Sequence, residues 1–274
     1  MEITTYYTEP TASTPATFTV QDVIKLALSE NETVRAQTVD KQRSGSPDQV
    51  VTGIVTTMFP TLDVINKTAK AGANMIIAHE TPYFNQADET EWLKDDEVYK
   101  YKRELLDKYG IAIWRFHDHW HSHKPDGIIY GCLLKMGWEK FYKNEDRQLL
   151  TLPQPEKLSS IVARLKKALD IPSIRLVGNL DAQITTVFFC LGFTGIGNIS
   201  KIKPDLVING ETRETENTEQ IRDGLTMGEK TNLLTLSHSV SEEPGMAYCA
   251  QWLAPKVPGV RVTNIPSGTP FQYL

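Results

Sequence analysis

Thiols are scarce in this chain of 274 residues, which has three cysteines. Cys132, Cys190 and Cys249 are odd in number, widely spaced and set among apolar residues. That pattern excludes a disulfide framework and a Cys-x-x-Cys metal site, and it fits buried thiols in a reducing compartment. Basic charge is also short. The 29 Lys and Arg against 34 Asp and Glu leave a formal net charge of −5, with no basic stripe of the kind a phosphate backbone attracts, so nucleic acid is not an expected partner. A small phosphorylated metabolite stays compatible with that charge, because a bound cation would supply positive charge locally. No apolar run reaches membrane-spanning length, and the N-terminus has neither the basic start nor the apolar core of a signal peptide. The expectation is a cytoplasmic protein with no membrane partner. A hydrophobic content of 40% and a charged content of 23% suffice for a sizeable core in one large or two modest domains.

Histidine is scarce too, but its placement is uneven. Of six histidines, four (His117, His119, His121 and His123) occupy alternate positions in Ala112 to His123, directly after an apolar strand-like run. While that segment stays extended, His117, His119 and His121 share one face and Asp118 takes the other. The remaining two, His79 and His238, also follow apolar strand-like runs and have a carboxylate close by. One histidine at a strand end is usually an ordinary hydrogen-bonded residue. Three strand ends that together hold every histidine point instead to a metal site.

The order of elements places those ends. Residues 1–17 are rich in Thr, Ser and Pro and read as a loosely held arm. Thr19 with Asp22 starts a helix, Val50 to Thr57 is a strand, and Pro60 opens a helix that stops at Gly72. Ala73 to Ala78 is the next strand, ending at His79. A helix over Glu91 to Lys108 stops at Gly110, and Ile111 to Phe116 is a strand ending at His117. Polar residues Asn144 to Arg147, then Pro153 and Pro155, mark a lobe boundary, giving an N-terminal lobe over 1–145 and a C-terminal lobe over 146–274, interleaved if the last segment returns. The second lobe reads as a helix over Leu158 to Leu169, strands at Ile174 to Val177, Ile184 to Leu191, Asp205 to Asn209 and Asn232 to Ser237, and a helix with Glu242, Glu243 and Pro244 in its first turn. Val260 to Ile265 closes the chain as a strand. The turn with Gly192, Gly195 and Gly197 could offer N–H groups to an anion, but its spacing matches no phosphate loop and a tight turn is the preferred reading. Such alternation implies an α/β protein with largely parallel sheets, whose ligands sit past the carboxyl ends of the strands.

The expected metal ligands are His79, Glu80, His121, His238 and Glu242. His117, Asp118 and His119 are alternative ligands or supports behind the ligands, and Glu211 is a candidate catalytic carboxylate. This surplus of nitrogen and oxygen donors without thiolate suits an open site for two divalent ions (Zn, Fe, Mn or Ni) rather than a closed structural zinc. Two such ions about 3.5–4 Å apart would promote hydrolysis of a small phosphorylated or cyclic, nucleotide-like substrate. The competing reading is a metal-binding adaptor or metal-handling protein without turnover. His79-Glu80 lacks the second histidine of the zincin helix. Trp120, Tyr83, Phe84 and Tyr130 could stack a ring, although packing is the simpler reading.

Gly53-Ile54-Val55, Asn74 to Pro82, Ile113 to His121, Pro204 to Glu211 and Ser237 to Glu242 occur in the order of the landmarks of a known family. The chain resembles, over roughly residues 40–265, the NGG-interacting factor three-like proteins, whose bacterial members bear the name GTP cyclohydrolase type two homologue. The resemblance implies two α/β lobes with a metal pair in the cleft between them, and a homohexamer. Two motifs depart from the family pattern. His79-Glu80 with Pro82 stands where the family has His-His-Pro, and His117 with His121 stands where it has His-x-x-x-Asp. One exchange replaces imidazole by carboxylate and the other does the reverse, so the ligand inventory is unchanged.

Overall fold

The structure is a computed structural model that describes residues 2–13, 17–31, 35–143, 148–193 and 199–273. Asn144 to Arg147, Gly195 and Gly197 fall outside the described residues. In chain order the elements are β1 (Thr4–Tyr6), α1 (Val20–Ser29), β2 (Gln42–Ser44), β3 (Ile54–Thr57), α2 (Leu62–Lys70), β4 (Met75–Ala78), α3 (Glu97–Tyr109), β5 (Ala112–Arg115) and α4 (Asp118–Ser122). They continue as α5 (Gly127–Met136), β6 (Leu149–Lys157), α6 (Leu158–Leu169), β7 (Arg175–Val177), β8 (Gln183–Cys190), α7 (Ile199–Ile202), β9 (Leu206–Asn209), α8 (Glu219–Thr226), β10 (Asn232–Thr235), α9 (His238–Leu253) and β11 (Val262–Asn264).

Two compact units share these elements, one made of residues 2–127 and 245–267, the other of 128–244 and 268–274. Where the sequence placed the boundary near 145, the chain changes unit after 127 and returns at 245. The prolines that suggested a linker, Pro153 and Pro155, lie in β6 at the edge of a sheet, where its register against β8 breaks between Thr151 and Glu156. An edge position tolerates a missing N–H.

The first unit holds a six-stranded sheet in the order β1-β11-β3-β4-β5-β2. Strands β11, β3, β4 and β5 run parallel, while β1 and β2 pair antiparallel at the edges. The second unit repeats the plan in the order β6-β8-β9-β10-β7, with β8, β9 and β10 parallel and antiparallel strands outside. Both units are therefore α/β with mixed, largely parallel sheets.

Local chemistry sets the helix ends. Thr19 and Asp22 form a capping box at α1: the Thr19 N–H donates to Asp22 Oδ2 at 2.9 Å, and the Asp22 N–H donates to Thr19 Oγ1 at 3.2 Å. Helix α3 starts later than the sequence implied. Glu91–Leu93 is a separate 3-10 turn, and Asp96 takes the N-cap by accepting from the Tyr99 N–H at 2.8 Å. Gly110 closes α3 at φ 59°, in the left-handed region that glycine enters without steric cost. Packing completes the unit: Val64 and Ile65 of α2 and Leu105 and Leu106 of α3 bury against Val55, Ile76 and Ile113. Each such side chain contributes about 1.5–3 kcal/mol of apolar burial.

A second difference concerns α9. The sequence put Pro244 in its first turn, yet the helix begins at His238 and carries Pro244 inside it, where proline withholds the N–H that the Val240 carbonyl would have accepted. Among the described residues no helix is long and apolar enough to cross a membrane.

Candidate metal centre

Three imidazoles of the first unit come together where β4 and β5 end. His79 directly follows β4 and is fully buried. After β5 the chain does not stay extended: His117 is the N-cap position of α4, and Asp118–Ser122 is helical. The expected alternation therefore fails past Phe116. In a helix residues four apart share a face, so His117 and His121 turn to the same side and His119 leaves it. The His79 and His117 rings stack with centroids 4.5 Å apart, and His121 meets them edge-on at 5.0 and 4.9 Å. Ligand nitrogens of the three lie within 4.8 Å of one another.

Each of these rings is also held by its other nitrogen. Nδ1 of His79 is 3.2 Å from the Phe116 carbonyl, Nδ1 of His117 is 3.0 Å from Asp118 Oδ1, and Nδ1 of His121 is 3.2 Å from Asp126 Oδ2. Carbonyl and carboxylate oxygens only accept, so Nδ1 is the donor in each ring, and the neutral form of that ring has its lone pair on Nε2. An imidazole fixed in this tautomer by an oxygen partner is what metal-binding histidines need. Burial works to raise the Asp118 pKa, but bonds from His117, Thr38 and the Val39 N–H outweigh it and hold the carboxyl below its ordinary range.

Glu80 is buried beside this trio. Its Oε2 accepts from Arg115 Nη2 at 2.7 Å, and its Oε1 is 3.8 Å from His117 Nε2. Arg115, wholly buried in β5, also reaches Asp88 at 3.2 Å and Gln86 Oε1 at 2.8 Å. Asp88 in turn binds Arg43 at 2.7 Å and accepts from the Thr81 hydroxyl. Desolvation lowers the Arg43 pKa against the opposing pull of Asp88. Two guanidinium groups thus meet two carboxylates, which makes their burial tolerable.

In the second unit, three parallel strands bring their carboxyl ends together. After β10 comes His238, whose Nδ1 is 3.2 Å from Glu211 Oε1 and whose Nε2 is 3.1 Å from Glu242 Oε2. Glu211 lies just past β9, and its N–H donates to the Gly192 carbonyl beyond β8 at 2.8 Å. Glycine at 192 has a steric cause: φ is +65°, and a Cβ there would lie 2.2 Å from Glu242 Oε1. Ser241 Oγ accepts from the Gly192 N–H at 3.0 Å. The glycine-rich turn therefore serves, at Gly192, to let Glu242 approach the backbone.

The other expected residues have different tasks. His119 is buried with Nδ1 2.7 Å from Asp40 Oδ2, while its Nε2 accepts from the Arg35 N–H at 3.0 Å. Both nitrogens are used, so His119 is structural. His123 Nδ1 donates to the Pro125 carbonyl at 2.9 Å, and its ring lies against Trp120 and Trp252. Asp118 orients His117. Trp120 and Tyr83 are core residues, and Phe84 is exposed.

Sequence reasoning missed Arg115, Asp40, Asp88 and Asp126. Arg115 did leave a signal: an arginine inside an apolar strand run needs a carboxylate. Asp40 accepts from the N–H groups of His117, Asp118 and His119 at 2.8, 2.8 and 2.9 Å, a cap supplied from far along the chain with no local signature.

Among solved structures the chain is similar to Staphylococcus aureus protein SA1388, with 18% identity, 93% of this chain and 99% of that chain covered, and a TM-score of 0.73. It is similar to a Bacillus cereus protein related to NIF3, with 15% identity, coverage of 95% and 100%, and a TM-score of 0.74. Reduced HcgD from Methanocaldococcus jannaschii gives 13% identity, coverage of 93% and 99%, and a TM-score of 0.67. At these identities the likeness is one of fold. No curated protein sequence matches the chain. The sequence profile of Duf34/NIF3 (NGG1p interacting factor 3) matches residues 28–270, and the chain belongs to that family.

Proposed function

We propose that this protein is a metal-dependent hydrolase that binds two divalent cations and acts on a small phosphorylated or cyclic, nucleotide-like substrate. The observation that carries the reading is the trio His79, His117 and His121, each ring fixed through Nδ1 by an oxygen acceptor. With Oε1 of Glu80 beside it, this donor set suits zinc, iron, manganese or nickel. His238 and Glu242 offer a further imidazole–carboxylate pair. A divalent cation at these donors would supply Lewis acidity, polarising a phosphoryl or carbonyl oxygen and lowering the pKa of a neighbouring water. The protein's own part is to orient and to move protons. Phe116, Asp118 and Asp126 hold the rings, Arg115 holds Glu80, and Glu211, with its side chain 52% exposed, exchanges protons between His238 Nδ1 and solvent. By family resemblance the working unit is a homo-oligomer, a hexamer.

The test is turnover of a generic phosphodiester and a nucleoside triphosphate by protein loaded with two equivalents of manganese, zinc or iron. His238→Ala should lose more than the about 10–100-fold that removal of a group supporting a ligand costs, and an unchanged rate would overturn the assignment. One observation favours the reading without turnover: Arg115 neutralises Glu80 where the family pattern has histidine. Tight, reversible metal uptake with no activity across a broad substrate panel would select that reading.

A further inference from the structure

The carboxyl ends of β8 and β9 carry three residues that neither the metal donors nor the core accounts for. Phe193 comes directly after Gly192 and is 48% exposed. The Arg213 guanidinium stands over its ring, 5.0 Å from the centroid. Arg213 also pairs with Glu216 at 3.1 Å, but both groups are largely solvent-exposed, so an incoming anion can displace that partner at little cost. The third residue is Asn209, the last of β9, with 0% exposure. Its amide N–H donates to the Glu211 carbonyl at 3.1 Å, and its Oδ1 has no hydrogen-bond partner among the described residues. A buried acceptor left unpaired costs about 1–3 kcal/mol, so its retention points to a donor brought by a ligand.

All three are tied to the His238 and Glu242 group by short connections. Phe193 is the neighbour of the glycine that makes room for Glu242, and Glu211, two residues before Arg213, holds His238. In open parallel sheets ligands bind past the carboxyl ends of the strands. An exposed aromatic face takes a planar ring, a guanidinium takes a phosphate or carboxylate, and an orphaned amide oxygen takes an N–H or O–H.

We propose that Phe193, Arg213 and Asn209 form a substrate subsite for a planar heterocycle that carries an anionic group and a hydrogen-bond donor. The subsite rests on the hydrolase reading for its purpose but not for its geometry. It selects which phosphorylated or cyclic compound is held beside the metal donors.

The test is calorimetric binding to the zinc-loaded full chain, using adenosine phosphonate, a non-hydrolysable ring with an anion, against adenosine and methylphosphonate as its separated parts. Adenosine phosphonate should bind at least about tenfold more tightly than either part. Phe193→Ala should cost about 5- to 100-fold, the range that loss of one stacking face produces, and bring the affinity down to that of methylphosphonate. Arg213→Ala should erase the preference over adenosine, with Arg213→Lys retaining part of it. Asn209→Leu should weaken adenosine phosphonate and leave methylphosphonate unchanged. Zinc content, measured on each variant, should match the parent. Equal affinity for all three compounds, or an unaltered affinity in Phe193→Ala, overturns the subsite even where His238→Ala still abolishes hydrolysis. Absence of hydrolysis with the ring-plus-anion preference intact overturns the hydrolase reading and leaves the subsite standing.

Discussion

Each histidine here is defined by what its two nitrogens touch. His117 and His121 hold one nitrogen with a carboxylate and turn the ring toward His79, whereas His119 spends both nitrogens on Asp40 and the Arg35 backbone. His117→Ala or His121→Ala should therefore lower the metal content of the loaded protein with little change in its unfolding midpoint measured metal-free. His119→Ala should do the reverse, keeping the metal and losing about 1–3 kcal/mol of stability because Asp40 is left buried without one of its donors. Metal analysis and denaturant titration on the same samples separate the two outcomes. Lys102 offers a test by pH. Burial lowers its pKa to about 8, and its Nζ donates to the Pro82 carbonyl at 2.7 Å. The unfolded side chain titrates near its ordinary value of about 10.4, so between the two values the unfolded state binds more protons and stability rises with pH. Below about 8 both states are charged and the native state bears the full burial cost, on the order of 3 kcal/mol. The parent should gain stability from pH 7.5 to pH 10 relative to Lys102→Met, and a constant difference between them would refute this.

At the scale of elements, the strands and their ends were legible because buried parallel strands are short β-branched runs closed by glycine or a helix cap. Sequence separated His79, the 117–121 stretch and His238 from the rest for that reason. It misjudged the segment after β5, because the period changes from two to 3.6 at Phe116 and nothing local announces it. The cause is Asp40, whose carboxylate gathers three successive N–H groups and starts α4. Asp40→Ala should loosen this turn by about 1–2 kcal/mol and reduce metal affinity about 10- to 100-fold, although Asp40 lies in none of the proposed ligand positions. Metal titration by calorimetry checks it, and unaltered affinity would mean that α4 forms without its cap. Helix α9 was misplaced for a related reason. Proline is commonest in a first turn, but here the backbone admits Pro244 in the interior.

For the whole molecule, alternation of strands and helices foretold two α/β lobes, and composition could not locate their seams. Pro153 and Pro155 sit in an edge strand, whereas the passage after residue 127 follows the short turn Lys124-Pro125-Asp126-Gly127, and the return at 245 falls inside helix α9. The return matters to stability because β11 lies inside the first sheet, between β1 and β3. A chain ended after Gly259 should leave residues 2–127 open to limited proteolysis while 128–244 remains protected. Equal protection of both segments would show that the first sheet closes without its last strand.

The place of β11 also bears on synthesis. A ribosome releases residues 2–127 well before the strand that completes their sheet has been made, so the sheet begun first is completed last. The uninterrupted 128–244 stretch has every one of its strands available sooner. During that interval β1 and β3 are unzipped neighbours awaiting a partner from the far end of the message, and this is the period in which the nascent protein is most exposed to pairing with another chain.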